Sequence, residues 1–157
     1  MTKYTYIAIG VALIGMVLVV LITVLTLVGK TEQDTDVDSN TVTVVFKNVS
    51  VQAETVSTDA ERSKGLSGRE ALEEGTGMLF IFDDVDTHTF WMPDMHFAID
   101  IIWLDESMKV VHIKENATPE SYPEIFTPSA SAKYVLEVPA GFSKTWGIVE
   151  GTQAIVR

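Results

Sequence analysis

Between Tyr4 and Gly29 the chain carries no charged residue: YTYIAIGVALIGMVLVVLITVLTLVG. At about 1.5 Å of rise per residue, a helix over residues 6–28 would reach roughly 35 Å, enough to cross the hydrocarbon core of a bilayer with some tilt. A cleaved signal peptide is the competing reading, with Lys3 as its basic flank. The run is longer than a typical signal-peptide core, and no pair of small residues in cleavage-site spacing precedes Lys30, so the sequence predicts a retained single-pass anchor over residues 1–29. The positive-inside rule sets Lys3 and the amino terminus against Lys30, and places the remainder of the chain outside the cytoplasm at the cell membrane.

Residues 30–40, KTEQDTDVDSN, are polar, acidic and without apolar periodicity, the composition of a solvated tether. The rest of the chain, residues 41–157, has the length of one small domain. The formal net charge of −11 disfavours nucleic acid and anionic lipid surfaces as partners of that domain. Because the chain contains no cysteine, disulfides, thiol catalysis and thiolate metal sites are excluded together.

Residues 41–47 and 49–56 alternate apolar and polar side chains and are rich in β-branched residues, which predicts two strands or one bent strand. Thr58-Asp59-Ala60-Glu61 spells a capping box, and a short helix is expected to run from it to near Gly65. Residues 67–77 read as a loop, and the apolar run GMLFIF over 77–82 as a central strand. A turn is expected at 83–86, then strands at 88–92 and 97–104 separated by the breaker pair Pro93-Asp94. Asp105-Glu106-Ser107 connects the latter into a hairpin with 108–113. Residues 115–130, with three prolines, read as irregular, and a loop of that length usually serves something. A strand at 132–138, a turn at 139–141, a short helix at 142–146 and a closing strand at 152–156 complete a mainly β (α+β) domain, a compact barrel or sandwich-like sheet with one or two short helices.

The stretch FWMPDMHFAIDIIWLD, from Phe90 to Asp105, concentrates the residues with chemical potential. Along FAIDIIWL, Asp100 is the lone charge in a strand apolar on both faces. A carboxyl there must be paired, hydrogen-bonded or protonated, because an uncompensated buried charge costs several kcal/mol. Such a residue is more often a structural anchor than a ligand contact or an acid-base group. The aromatics around Trp91 are commonly core, although a tryptophan beside a proline-broken loop also suits the wall of a cleft. Met92, Met95 and His96 offer thioether and imidazole ligands suited to monovalent copper, yet without regular ligand spacing, and His88 or His112 would have to converge with them. Gap-filling core is the commoner role for such methionines. No G-x-S-x-G elbow and no phosphate-cradling glycine loop is present.

Several segments occur together in order: AERSKGL at 60–66 with Arg69, GMLFIF at 77–82, FWM at 90–92, IDIIWLD at 99–105, YVLEVPAG at 134–141, and the late glycines Gly147 and Gly151. In that order and spacing they resemble the domain-of-unknown-function 192 family of prokaryotic domains, often found behind a signal peptide or membrane anchor. The resemblance covers residues 42–157. It implies a compact, mainly β domain of no established activity and no known cofactor, and its pattern points to Arg62, Gly65, Leu66, Arg69, Trp91, Met92 and Asp100. Where the family pattern often reads W-M-K-N-T and then P-L-D, this chain has Pro93-Asp94-Met95 after Trp91-Met92, and Ala98 two positions before Asp100, so Met95 and His96 are peculiar to this variant.

The resulting expectation is a binding module for a small ligand or an envelope protein, with Arg62, Arg69, Trp91, Met92 and Asp100 bordering the site. Arg62 and Arg69 are expected either to meet Asp100 or to recognise an anionic ligand, and backbone amides near Pro93 to help hold Asp100. Two alternatives stand beside it: an acid-base enzyme using Asp100 with a nearby His or Arg, and a copper-binding envelope protein using Met92, Met95 and His96. Intact-mass measurement of the purified protein tests the anchor: the mass of a chain that keeps residues 6–28 is expected, and a mature amino terminus near Lys30 would exclude it.

Overall fold

A computed structural model describes residues 40–157, so the predicted anchor and all but the last residue of the tether lie outside the described residues. Seven strands form one sheet: β1 (Thr41–Phe46), β2 (Val49–Val56), β3 (Thr76–Asp86), β4 (Ile99–Leu104), β5 (Val110–Ala117), β6 (Ala132–Pro139) and β7 (Ile155–Val156), in the spatial order β5-β4-β6-β3-β2-β1-β7. Two short helices accompany it, α1 (Asp59–Lys64) and α2 (Phe142–Trp146), with a single 3-10 turn at Pro119–Ser121.

Period-2 patterning builds the first hairpin, with Val44, Phe46, Val51 and Ala53 pointing to one side and Phe46 paired with Val49 across a two-residue connection. β2 and β3 are parallel, so the chain must cross over between them, and α1 with residues 65–75 makes that crossing. The capping box at its start is present as spelled: Thr58 Oγ1 accepts from the Glu61 N–H, and the Glu61 carboxylate accepts from the Thr58 N–H at 2.9 Å. All remaining strand pairs are antiparallel.

The sheet curls into a half-barrel, and the two ends of its strand order are linked. The Val110 N–H donates to Thr152 O at 2.9 Å, Gly151 N–H to Val110 O at 2.8 Å, and Ala154 N–H to Met108 O at 2.9 Å. The inner face holds one apolar cluster, including Phe46, Leu79, Ile102, Leu104, Leu136 and Phe142 of α2. The outer face of β3, β6 and β4 holds a second, including Met78, Phe80, Ile101, Trp103 and Val135, which receives Met92, Met95 and Phe126 from the long connections. β4 lies between the two clusters and all six of its residues are buried.

Asp100 sits on the inner side of β4. Its Oδ1 accepts from the N–H groups of Asn116 at 2.9 Å and Gly141 at 3.1 Å, and its Oδ2 from the Ser143 N–H at 2.9 Å. α2 has no side-chain cap of its own, and Asp100 supplies one from a distant strand. Asn116, at φ 49°, stands where the β4–β5 register slips, so the same carboxylate also holds the bulge. The expected pairing of Asp100 with Arg62 or Arg69 and with amides near Pro93 is corrected: backbone amides of three other segments satisfy it, and neither arginine reaches it.

Other expectations shift at their edges. β3 continues through the expected turn at 83–86 and ends with Asp86 opposite Ala132, after an irregularity beyond Ile81. The expected strand at 88–92 is reduced to one bridge, Phe90 with Phe126, because this segment folds over the outer face, where the Trp103 indole N–H holds His88 O at 2.8 Å. β5 begins two residues later than expected and runs to Ala117. Of the closing strand only Ile155–Val156 pairs with β1, since the residues before it bond to β5.

Replacing Asp100 with Asn keeps one acceptor oxygen and turns an amide NH2 toward a backbone donor. Such a mismatch in a buried position is expected to destabilise the protein by about 2–3 kcal/mol, read as a lowered denaturant midpoint at unchanged slope.

Candidate functional site

On the outer face the register lines up Glu54 of β2, Met78 of β3, Glu137 of β6 and Ile101 of β4 as successive cross-strand neighbours. Two carboxyl groups thus stand in one otherwise apolar row, and their surroundings treat them differently. Arg69, from the loop after α1, meets both oxygens of Glu54 with its two terminal nitrogens, each at 2.6 Å. The hydrogen bonds from Arg69 hold the Glu54 carboxyl below its usual range. Glu137 receives no such partner. It is 5% exposed, its Oε2 has no hydrogen-bond partner, and burial pushes its carboxyl up to about 8, against the weaker pull of the Arg69 charge.

Glu137 and Phe80 of the sheet lie at the base of a cleft of about 220 Å³. Residues 62–67 form one wall, Phe82 and residues 89–91 with Pro93 and Met95 the other. The walls are tied together, because Ser67 Oγ donates to Pro93 O at 2.8 Å and the Gly68 N–H donates to Asp94 O at 2.9 Å. Gly65 lets α1 end against the sheet: its φ is 47°, and a Cβ there would lie 3.3 Å from Phe80 Cζ. The aromatic wall is locked from behind, with Phe90 edge-on to Phe80 at 4.9 Å and to Trp103 at 5.8 Å. Trp91 is different: 52% exposed, it leans on Tyr122 at 6.1 Å and leaves much of its surface free.

Arg62 lines this cleft, but its guanidinium is committed. It donates to Ser57 O, to Ile81 O at 2.8 Å and to the Asp59 carboxylate, and it lies over the Phe82 ring at 5.1 Å. It stitches α1 to β3. The opposite neighbour of Phe82 is His88, stacked at 3.5 Å. Lys64 also lines the cleft, and among the described residues its ammonium has no hydrogen bond or ion pair.

Of the residues expected at a site, then, Arg62 and Trp91 line the cleft. Arg69 lies in the adjoining depression with Glu54. Met92 is 1% exposed and packs behind the wall, and Asp100 is enclosed on the other face of the sheet. The three candidate copper ligands are separated by role: Met92 and Met95 join the outer apolar cluster, while His96 turns to the surface, 3.5 Å from Glu70. His112 faces Glu150 at 3.4 Å and Ser129 at 3.3 Å, so it does not share partners with His88 or His96. Glu137 is not among the expected site residues. A signal for it is nonetheless present, a lone acid in the two-sided apolar run YVLEVP, the same pattern that marks Asp100.

The family model of DUF192, described as an uncharacterized ACR, matches residues 41–156. A UPF0127 protein of Thermococcus gammatolerans is 43% identical over 64 residues, 41% of this chain and 37% of that protein. One of Thermococcus kodakarensis is 40% identical over 64 residues, 41% of this chain and 36% of that protein, so the match spans little more than a third of these relatives' length. Among solved structures, a Novosphingobium aromaticivorans protein of unknown function superposes with a TM-score of 0.67 at 31% identity, over 73% of this chain and 83% of that one. A Sinorhizobium meliloti protein provisionally described as a transcription regulator gives 0.68 at 25% identity, over 74% and 92%.

The raised Glu137 carboxyl has a signed consequence. Between its ordinary value near 4.5 and its folded value of about 8, the folded state holds a proton that the unfolded state has lost, so stability falls as pH rises through that window and levels off above it. Glu137→Gln removes the titration while keeping the shape. The variant is expected to gain on the parent by an order of a few kcal/mol between pH 5 and pH 8, measured by denaturant melts at each pH.

Proposed function

Since this chain belongs to the uncharacterised DUF192 family, we propose that its domain is a small-ligand-binding module whose site is the cleft between α1 and the 89–95 segment, held outside the cytoplasm by an N-terminal membrane anchor. One observation carries the reading: an unpartnered, buried carboxyl oxygen of Glu137 in a cleft whose rim is a half-exposed tryptophan. Concave, largely apolar sites with a few convergent polar groups are where small molecules bind, and a strongly perturbed carboxyl among them supports that assignment.

The acid-base alternative built on Asp100 loses its support, because three amides occupy that carboxylate and it does not line the cleft. The copper alternative loses its support because two of its three ligands are packed in the core. The anchor rests on the uncharged run between Tyr4 and Gly29, and the acidic composition favours neither nucleic acid nor an anionic lipid surface as partner.

A panel of small aromatic and aliphatic molecules screened by ligand-observed NMR against the full chain in detergent micelles tests the reading. Binders are expected to lose roughly tenfold in affinity on Trp91→Ala, about 1.4 kcal/mol, with an unchanged melting transition. Binders indifferent to Trp91→Ala would place the site elsewhere.

A further inference from the structure

Resting on the reading of this cleft as a ligand site, we propose that its ligand is a small organic carboxylate with an aromatic or aliphatic body, whose carboxylate oxygen accepts a hydrogen bond from the Glu137 carboxyl at the base of the cleft.

The charges of the lining point this way. The chain as a whole is strongly acidic, at −11, yet the ionisable side chains lining the cleft are Arg62, whose charge is offset by Asp59, Lys64, unpaired among the described residues, and Glu137. Arg69 adds a third positive charge next to Glu137, partly spent on Glu54. An ion pair with an ammonium-bearing ligand would need Glu137 ionised in a buried position, and such a ligand would approach against the unpaired Lys64. A carboxylate meets the opposite field.

The donor inventory agrees. Burial keeps Glu137 in its acid form at neutral pH, and a carboxylic acid is a donor; no acceptor for it exists within the described residues, since Oε2 is unpartnered. Oε2 itself is sealed from the cleft, so a ligand there meets this carboxyl at its other oxygen. A carboxylic acid to carboxylate hydrogen bond is short and charge-assisted, stronger than one between neutral groups. Lys64, with its uncommitted ammonium, stands in the same lining as a second contact for the anion.

The class is narrower than "anion". Bidentate recognition of a phosphate would use guanidinium forks, and both nearby forks are taken, Arg62 by Ser57 O, Ile81 O and Asp59, Arg69 by Glu54, which leaves Lys64 as a single point charge suited to a monoanion. The volume of about 220 Å³ lies below the range of roughly 300–1,000 Å³ that holds drug-sized molecules. Phe90, Trp91 and Met95 supply apolar wall for the body of such a small acid.

The charged or titratable groups that face Glu137 are few. α1 contributes Arg62 and Lys64, the following loop Arg69, β2 Glu54 and, beyond Ile101 in the same cross-strand row, β5 contributes Lys114. β3 contributes none, and the 89–95 segment lines the cleft with Thr89, Phe90, Trp91, Pro93 and Met95; His88 stacks on Phe82 behind it.

Three probes of one shape separate the possibilities: benzoate, benzylamine and benzyl alcohol, titrated calorimetrically into the full chain in detergent micelles. Benzoate is expected to bind at least tenfold more tightly than either isostere at pH 6.5. Because it requires protonated Glu137, its affinity is expected to drop roughly tenfold between pH 6.5 and pH 9. Glu137→Gln, which keeps an N–H donor but cannot titrate, is expected to bind benzoate within a few-fold of the parent with a flat pH profile, and Glu137→Leu to lose it. Preference for benzylamine, or benzoate binding that ignores pH in the parent chain, overturns the carboxylate assignment and leaves the cleft as a ligand site. If none of the three binds at millimolar concentration, and the wider panel also yields no binder sensitive to Trp91→Ala, both readings fall together. The isostere comparison in the parent chain is decisive even where a Glu137 variant does not fold.

Discussion

The carboxylate of Asp100 is the tie on which the rest of the domain is hung. It lies near the start of the most buried strand and collects the amides of Asn116, Gly141 and Ser143, from the β5 bulge, the turn after β6 and the first turn of α2. The Ser143 amide would otherwise be a buried donor without an acceptor, and the same carboxylate also takes the part-buried amides of Asn116 and Gly141. Its effect extends to the cleft. Asp100 pairs with Val138 across the β4–β6 ladder, and with Val138 facing the inner cluster the pleat turns Glu137 to the outer face. A slip of one residue there would exchange the two.

The carboxyls of β2, β4 and β6 are handled in three ways. Asp100 is hydrogen-bonded by backbone amides, the half-exposed Glu54 is paired with Arg69, and Glu137 is neither. Behind it, on the inner face, Gly77 lets β3 and β6 approach closely: a Cβ there would fall 2.7 Å from the backbone O of Glu137 and 2.9 Å from Val51 Cγ1. An unsatisfied buried carboxyl in a site that could accommodate an apolar residue costs roughly 1–3 kcal/mol. Local violations of otherwise consistent folding rules concentrate at functional or strained sites, which is the ground for proposing this cleft as a site.

Much of this is legible in the sequence, and the failures have physical causes. The first hairpin, the capping box, the short helix ending at Gly65 and α2 arise from local patterns, and local structure obeys them. The segment at 88–92 alternates like a strand, but its Phe90 and Met92 are needed as a lid on the outer cluster, a tertiary demand that overrides periodicity. Asp100 is legible as a buried acid and not as to its partners, since backbone amides leave no residue-type signature and an arginine is the partner a sequence can display. Glu137 obeys the same lone-acid rule on β6. It is harder to see because β4 also carries a conspicuous tryptophan, histidine and methionine neighbourhood, whereas YVLEVP looks like plain core.

Glu137 also joins folding to binding. In the absence of a ligand the fold retains a carboxyl that has lost its water and found no replacement, and it keeps the proton because ionisation there is the costlier state. On the proposed reading, a ligand acceptor that meets this carboxyl displaces no existing protein contact of it, so only the ligand's own hydration is exchanged for the new bond. On that same reading, occupancy of the cleft adds to the stability of the domain, because a ligand that binds only the folded state stabilises it. If the cleft binds as proposed, an apolar residue at position 137 gives a more stable empty domain at the expense of that binding, and the Glu137 carboxyl couples the stability of the sheet to the ligand.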